Sequence, residues 1–340
     1  LLKVNSLHRM TWQHLEKSYK HISGHRFHVR MTNFSAGEIL AEITRSGVVE
    51  SVHSGHLVIL NSDGSVHLSK GDPTQLTYPR STIKSIQTSA MIRNGLRLEP
   101  RLLALVSASH SGAAMHQDGA LEILASAGLA EKDLQNAKDK PLGEIERRAW
   151  GIQEPTRLAM NCSGKHAAML LTCVTNNWPI ESYLDPAHPL QVAIKAELET
   201  LAGESITLTS TDGCGAPLFL MSVLGLARAI RAITISTDPI HQSILDASRA
   251  FPEMVAGKGR LTTQMIEAVP GLYMKDGAEA VEIASMPDGR TLVFKVSDGS
   301  LRPFRVLVHA GLKRLGIDSP YEAENVLGGD RVIGTIRATF

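Results

Sequence analysis

Between residues 39 and 68 apolar and polar residues alternate in short runs divided by turn signals. Val48-Val49 and His56-Leu57-Val58-Ile59-Leu60 form apolar runs, Asn61-Ser62-Asp63-Gly64 supplies a turn, and Ser65-Val66-His67-Leu68 returns. The pattern predicts a strand meander that ends in a hairpin. The period then lengthens. A helix is predicted to open at residues 80–84 behind Tyr78-Pro79, since proline is tolerated in a first turn. Further helices are predicted over residues 117–127, with Gly128 as stop, 134–148, 190–201, 217–230, 239–251 and 302–315. Another starts at Ser163 as N-cap and continues through the apolar run 167–174. A short β-like run occupies 205–209, and strands return at 280–284 and 291–297, the second closed by Asp298-Gly299. Strands at both ends with helices between predict one α/β domain, its antiparallel sheet built from N- and C-terminal strands and a helical lobe between them. The sheet edge and the helix at Ser81 then meet at a cleft.

Composition narrows the class. The chain of 340 residues is 43% apolar, enough for a substantial core, and no apolar run reaches the ~18 residues of a membrane helix. Formal net charge is +1. Residues 1–30 carry six Lys/Arg against one acid, Glu16, and so hold +5 of it, leaving −4 for the rest. A mildly acidic body offers no footprint for nucleic acid. The first 35 residues, with no apolar core of a secretory signal, read as a disordered basic extension, and Met31 is a candidate biological start. The globular domain is residues 36–340. Three cysteines and no export signal point to the cytoplasm and to thiols used for packing or metal.

The candidate chemistry begins at Arg80-Ser81-Thr82-Ile83-Lys84, where a hydroxyl and an amine three residues apart share one helix face. A serine needs a base to become a nucleophile at neutral pH, and a lysine kept neutral by burial or a second cation can be that base. Ser107-Ala108-Ser109-His110-Ser111-Gly112 is a small-residue loop. In Met160-Asn161-Cys162-Ser163-Gly164-Lys165-His166, Cys162 sits at a helix start, where the dipole favours thiolate. Cys173, within the apolar run, reads as core. Glycines flank Cys214 in Asp212-Gly213-Cys214-Gly215, so Asp212 and Cys214 can converge on one point. Gly257-Lys258-Gly259-Arg260 lacks the spacing of a phosphate loop and reads as a turn. Lys295 projects from a sheet strand, where it could face Lys84.

These residues carry a resemblance. Val49-Glu50-Ser51-Val52-His53, Arg80-Ser81-x-x-Lys84, Ser109-His110-Ser111-Gly112, Asn161-Cys162-Ser163-Gly164-Lys165-His166-Ala167, His188-Pro189-Leu190-Gln191, Asp212-Gly213-Cys214-Gly215 and Lys295-x-x-Asp298-Gly299 are similar to the motifs of the rhizobial-type (class 3) L-asparaginases, related in fold to serine β-lactamases and glutaminases. The most specific is the block at 161–166. The resemblance implies a serine β-lactamase-like fold and hydrolysis of L-asparagine to L-aspartate and ammonia. It implies Ser81 as nucleophile, Lys84 as its base, and Ser111 and Lys295 as the second serine and lysine, although Ser109 stays open beside Ser111. It further implies Arg80, His166 and Asp212 at the substrate, a zinc ion held by Cys162, Lys165 and Cys214 with Asp212, and a homodimer. Two positions depart from the family pattern: Ala113 stands where an acid follows the glycine, and Ala280 stands where Gly277-Ala278-Glu279 is followed by glycine.

Two other readings compete. A β-lactamase relative also uses Ser-x-x-Lys but calls for a Lys-Thr-Gly strand, and this chain has Lys295-Val296-Ser297. A non-catalytic, zinc-stabilised binding protein explains the cysteines and Asp212 but not the serines and lysines.

Overall fold

At 13 residues, strand β2 is long enough to serve two neighbours along one edge and a third along the other. With β1 (Glu38–Arg45) it pairs through residues 48–55, and with β3 (Val66–Lys70) through 57–60, where β2 itself runs Val48–Leu60. The computed structural model to which these strands belong describes residues 34–320 and 323–340. The basic extension therefore lies outside the described residues but for Phe34 and Ser35. Two small strand pairs join β4 (Leu76–Thr77) to β7 (Met221–Ser222) and β5 (Thr209–Thr211) to β6 (Pro217–Phe219). The main sheet is completed by β8 (Tyr273–Gly277), β9 (Val281–Ser285), β10 (Thr291–Val296), β11 (Asn325–Gly328) and β12 (Arg331–Ala338). Its order is β11-β12-β1-β2-β10-β9-β8, antiparallel throughout. N- and C-terminal strands do share one antiparallel sheet, and β8 is its edge.

Both faces of the sheet are covered. Val58, Leu60, Tyr273, Ile283 and Val293 join the core of the helical lobe, while Leu57, Ile59, Met274, Leu292 and Phe294 join a second core on the opposite face. Successive strand residues point to opposite faces, so the uninterrupted run 57–60 is what a strand buried on both sides requires. The second core is closed by the last helix, Phe304–Arg314, whose Phe304 ring meets Phe294 edge-on at 5.2 Å.

The helical lobe is built around α1 (Lys84–Arg93), entered through a 3₁₀ turn, Arg80–Ile83. Around α1 pack α2 (Pro100–Val106), α5 (Ser163–Thr175), α6 (Pro189–Ala202) and α8 (Pro239–Ala250); between them in the chain are α3 (Ala114–Ser126), α4 (Glu144–Trp150) and α7 (Val223–Ile235). Short helices α9 (Pro252–Val255) and α10 (Leu261–Ala268) lead to β8, and Phe304–Arg314 is α11. Eight of the ten α1 residues are buried, five of them polar or charged. Such a helix is stable in a core only if its polar groups find partners. Thr88 Oγ1 donates to the Lys84 carbonyl at 2.8 Å and lies 2.9 Å from Ser107 Oγ, and Ser89 Oγ donates to Glu197 at 2.5 Å.

Glu197 of α6 joins three helices, accepting also from Arg93 Nε at 3.1 Å and from His241 Nε2 at 3.1 Å. Burial alone would raise its pKa, but the bonds from His241, Ser89 and Arg93 outweigh burial and bring the carboxyl down to about 2. A group whose folded pKa is depressed contributes stability above its unfolded pKa and loses it as pH falls through the folded one. Chemical denaturation should therefore show a fall in stability, on the order of 3 kcal/mol, between pH ~4.5 and ~2, and Glu197→Gln should flatten it. An equally steep profile in the variant would contradict this.

The structure differs from the sequence pattern in several stretches: the run 205–209 is strand only at Thr209, where β5 begins, and residues 100–106 form helix α2, which the pattern does not announce. Of the segment 134–148 only residues 144–148 are helical, as the start of α4, because the Asn136 amide binds the Ala137 and Arg157 carbonyls and Pro141 and Gly143 interrupt the run. The segment 217–230 begins with strands β6 and β7, and its helix starts at Val223, where Ser222 Oγ caps Gly225 N. The N-cap of α5 is Cys162, not Ser163. Strands β8, β11 and β12 and helix α10 were not legible at all.

Candidate active site

Ser81 lies on the 3₁₀ turn, 8% exposed, and among the described residues its hydroxyl has no hydrogen-bond partner. The turn is held from two sides. Thr82 Oγ1 donates to the Pro79 carbonyl at 2.7 Å, and Arg80 Nε binds Asp212 Oδ1 at 2.7 Å. Arg80 itself is left-handed, with φ 52°, a conformation that costs an L-residue about 1–2 kcal/mol and that the ion pair helps to hold. Lys84, three residues on, is 1% exposed, and its Nζ donates to the Ala108 carbonyl, to Cys162 Sγ at 3.0 Å and to Ser109 Oγ at 3.4 Å.

The second serine and lysine at this point are Ser109 and Lys275. Lys275 is paired with Ile283 across β8 and β9, so alternation turns it toward the helical lobe. Its Nζ donates to Ser109 Oγ at 2.9 Å, to Asp276 Oδ1 at 2.9 Å and to the Asp276 carbonyl at 2.6 Å. Burial is the main cause that lowers its pKa; the Lys84 charge acts in the same direction and Asp276 opposes both. Ser109 is fixed at every polar atom: its N donates to the Val255 carbonyl at 2.9 Å and its carbonyl accepts from Arg260 Nη1 at 2.7 Å. Arg260 also binds Asp276 Oδ2 at 2.8 Å. Burial would raise the Asp276 pKa, but Lys275 and Arg260 hold it far below the usual carboxylate range. Arg260, from the segment read as a plain turn, thus braces both the serine and the counter-ion of the lysine.

The other expected pair is placed elsewhere. Ser111 Oγ donates to Glu146 Oε1 at 2.7 Å and its carbonyl accepts from Gly143 N at 2.8 Å, so it ties the loop to the start of α4. Ser109 and Ser111 are one residue apart from His110, whose buried ring sends Nε2 to Ser163 Oγ at 2.9 Å. Lys295 donates to the carbonyls of Glu279 and, at 2.7 Å, Val296, and no bond joins it to Lys84. The sequence does not single out Lys275, because the strand that carries it, Tyr-Met-Lys-Asp-Gly, has no apolar alternation long enough to signal a strand. The one available signal was Lys275 directly before the Asp276-Gly277-Ala278-Glu279 stretch.

Next to Lys84 lies a sulfur and nitrogen cluster. Lys165 Nζ donates to Cys214 Sγ at 3.4 Å, and all three cysteines are free thiols. A bond between the two buried thiols pushes the Cys162 pKa up and pulls that of Cys214 down, and Cys214 and Cys162 in turn keep Lys165 protonated despite burial. Among the described residues no three His, Cys, Asp or Glu side chains gather as a metal site, so a metal here needs Lys165. Two sulfurs and an amine held together by protons that a dication could displace form a donor set that suits zinc. Asp212 adjoins it: Oδ1 is engaged by Arg80 and by Gly213 N at 2.8 Å, and Oδ2 accepts from Cys214 Sγ at 3.7 Å. His166 is wholly buried, with Nδ1 2.8 Å from Tyr183 Oη; burial and the nearby Lys165 charge drive its pKa well down, so it is neutral. Cys173 is buried in the lobe core.

The structure thus brings together a serine with an unbonded hydroxyl, a lysine three residues on, and a second serine bonded to two lysines, one of them on the edge strand β8. The profile of the L-asparaginase II family matches residues 41–334, and the chain belongs to that family, which sets it among the amidohydrolases. No curated protein matches the chain. Among solved structures, a β-lactamase from Mycobacterium bovis aligns at 13% identity and a TM-score of 0.43, over 77% of this chain and 94% of that one, a likeness too loose to carry an argument. No helix among the described residues is long and apolar enough to cross a membrane.

Proposed function

We propose that the protein is an L-asparaginase that hydrolyses L-asparagine to L-aspartate and ammonia, working in the cytoplasm as a homodimer. The observation that carries the reading is the unpaired Ser81 hydroxyl, three residues before Lys84, with Ser109 Oγ accepting from both Lys84 and Lys275. Ser81 Oγ attacks the side-chain amide carbon as Lys84 takes its proton. Ser109 relays a proton to the amide nitrogen, which leaves as ammonia, and a β-aspartyl ester remains on Ser81. Water hydrolyses that ester and returns the serine. Arg80 and Asp212 lie beside the nucleophile and bind the polar ends of the amino acid. His166 supports the site from behind through Tyr183. Ammonia release should be measured with L-asparagine and L-glutamine, and colour change with nitrocefin; release from asparagine alone or foremost is expected. Nitrocefin cleavage without ammonia release would favour the lactamase reading, and neither activity would favour a binding protein.

The free cysteines support a reducing compartment. Cys162, Lys165 and Cys214 would hold one zinc ion, with Asp212, which accepts from Cys214 Sγ, at the fourth position directly or through a water. Zinc there would supply positive charge that orients the substrate and pins the loop 212–216 to α5. Elemental analysis should find about one zinc per chain, lost in Cys162→Ser and Cys214→Ser, with weaker asparagine binding but residual turnover. Protein purified without chelator that holds no zinc would remove the site.

A further inference from the structure

Lys295 has no place in the chemistry above, yet it is half-buried and both its bonds go to backbone carbonyls. Burial lowers its pKa, opposed by Glu279 and Asp298 and aided by Arg80, which sets it between the acidic turn and the nucleophile turn. One acceptor, the Glu279 carbonyl, belongs to the three-residue connection between β8 and β9. That connection is strained: Glu279 has φ 60° and Ala280 φ 56°, both in the left-handed region, and neither is glycine. Ala280 is also wholly buried. The strand end that the connection closes touches the nucleophile turn. A Cβ on Gly277 would lie 3.1 Å from the Pro79 carbonyl and 3.1 Å from Thr82 Cγ2, so the β8 end and the Ser81 turn are in backbone contact. Lys275 is two residues before Gly277.

Resting on the reading of Ser81, Ser109 and Lys275 above, we propose that Lys295 is a positioning residue, a clamp whose ammonium holds the left-handed Glu279–Ala280 turn shut. The clamp thereby sets the end of β8 against the Ser81 turn and Lys275 against Ser109. A cation donating to a carbonyl of a strained turn offsets part of the cost of the turn, and here it does so where alanine occupies a position that glycine would fill without strain. The clamp joins two turns at once, because its second acceptor, Val296 O, also accepts from Gly299 N at 3.1 Å in the turn after β10.

The test is a double-mutant cycle with Lys295→Met and Ala280→Gly, read by thermal melting and by steady-state kinetics on L-asparagine over pH. Lys295→Met should lower kcat by ~10-fold or more, because small misplacements of reacting groups carry large rate losses, with KM little changed. The rising limb of its pH profile should also move, since Lys275 is no longer held in its buried place. Ala280→Gly, which removes the left-handed penalty, should restore most of kcat and of the melting temperature to Lys295→Met, a non-additivity that a merely structural lysine would not give. Lys295→Gln, which keeps a donor, should lie between wild type and Lys295→Met, and serves the same cycle if Lys295→Met does not fold. Additive effects in both readouts, or an unmoved pH limb, would overturn the clamp. The melting cycle needs no activity. If the wild type released no ammonia while the melting cycle was still non-additive, the asparaginase reading would fail and the clamp would stand.

Discussion

Ser81→Ala is expected to reduce ammonia release from L-asparagine by at least ~10³-fold without lowering the melting temperature. The magnitude follows from the role: removal of an attacking hydroxyl leaves only binding and polarisation, which in serine hydrolases account for a minor part of the acceleration. Stability should hold because Ser81 Oγ makes no bond among the described residues, so the substitution orphans no partner. Ser109→Ala, in contrast, leaves Lys275 Nζ without its 2.9 Å acceptor and should cost both rate and stability. Ser111→Ala breaks only the link to Glu146 and should retain most of the rate. The Ser109 and Ser111 variants together decide which of the two serves the reaction.

Lys275→Met should lower kcat/KM by ~10²–10⁴-fold, the range typical for loss of a positioned acid or base. The sign of the pH dependence follows from its surroundings. Burial and the Lys84 charge bring the Lys275 pKa below the ordinary lysine value of about 10.4, and the two amines, joined through Ser109, can take up the Ser81 proton only once one of them is neutral. Wild-type kcat/KM should therefore rise with pH through that lowered pKa, and the rising limb should vanish or move in Lys275→Met. Lys275→Arg, permanently charged, should be as poor as Lys275→Met. An arginine variant with wild-type rate and an unchanged pH profile would exclude Lys275 from proton transfer.

Ser81 and Lys84 were legible because a three-residue spacing at a proline-led helix start is a local signal. Cys162 and Lys165 were singled out by the resemblance of the 161–166 block, and the apolar runs of β2 and β10 marked those segments as strands. Lys275 was not, since its place depends on an edge strand of five residues whose register with β9 is set only by the finished sheet. Ser109 and Ser111 look alike in the chain; the backbone turns at His110, sending one toward Lys275 and the other toward Glu146, and nothing local states which. The resemblance gives Lys295, on the clear strand β10, a catalytic place. Two carbonyls of neighbouring turns claim its ammonium instead. Arg260 shows the same limit, its two partners being 151 and 16 residues away.

The central claim is that Ser81 carries the acyl group. Enzyme quenched during turnover of L-asparagine, digested and weighed by mass spectrometry, should show a β-aspartyl ester on the peptide that contains Ser81, accumulating when water attack is slowed and absent from Ser81→Ala. An adduct on another peptide, or ammonia released at the full rate with none on this one, would contradict the account.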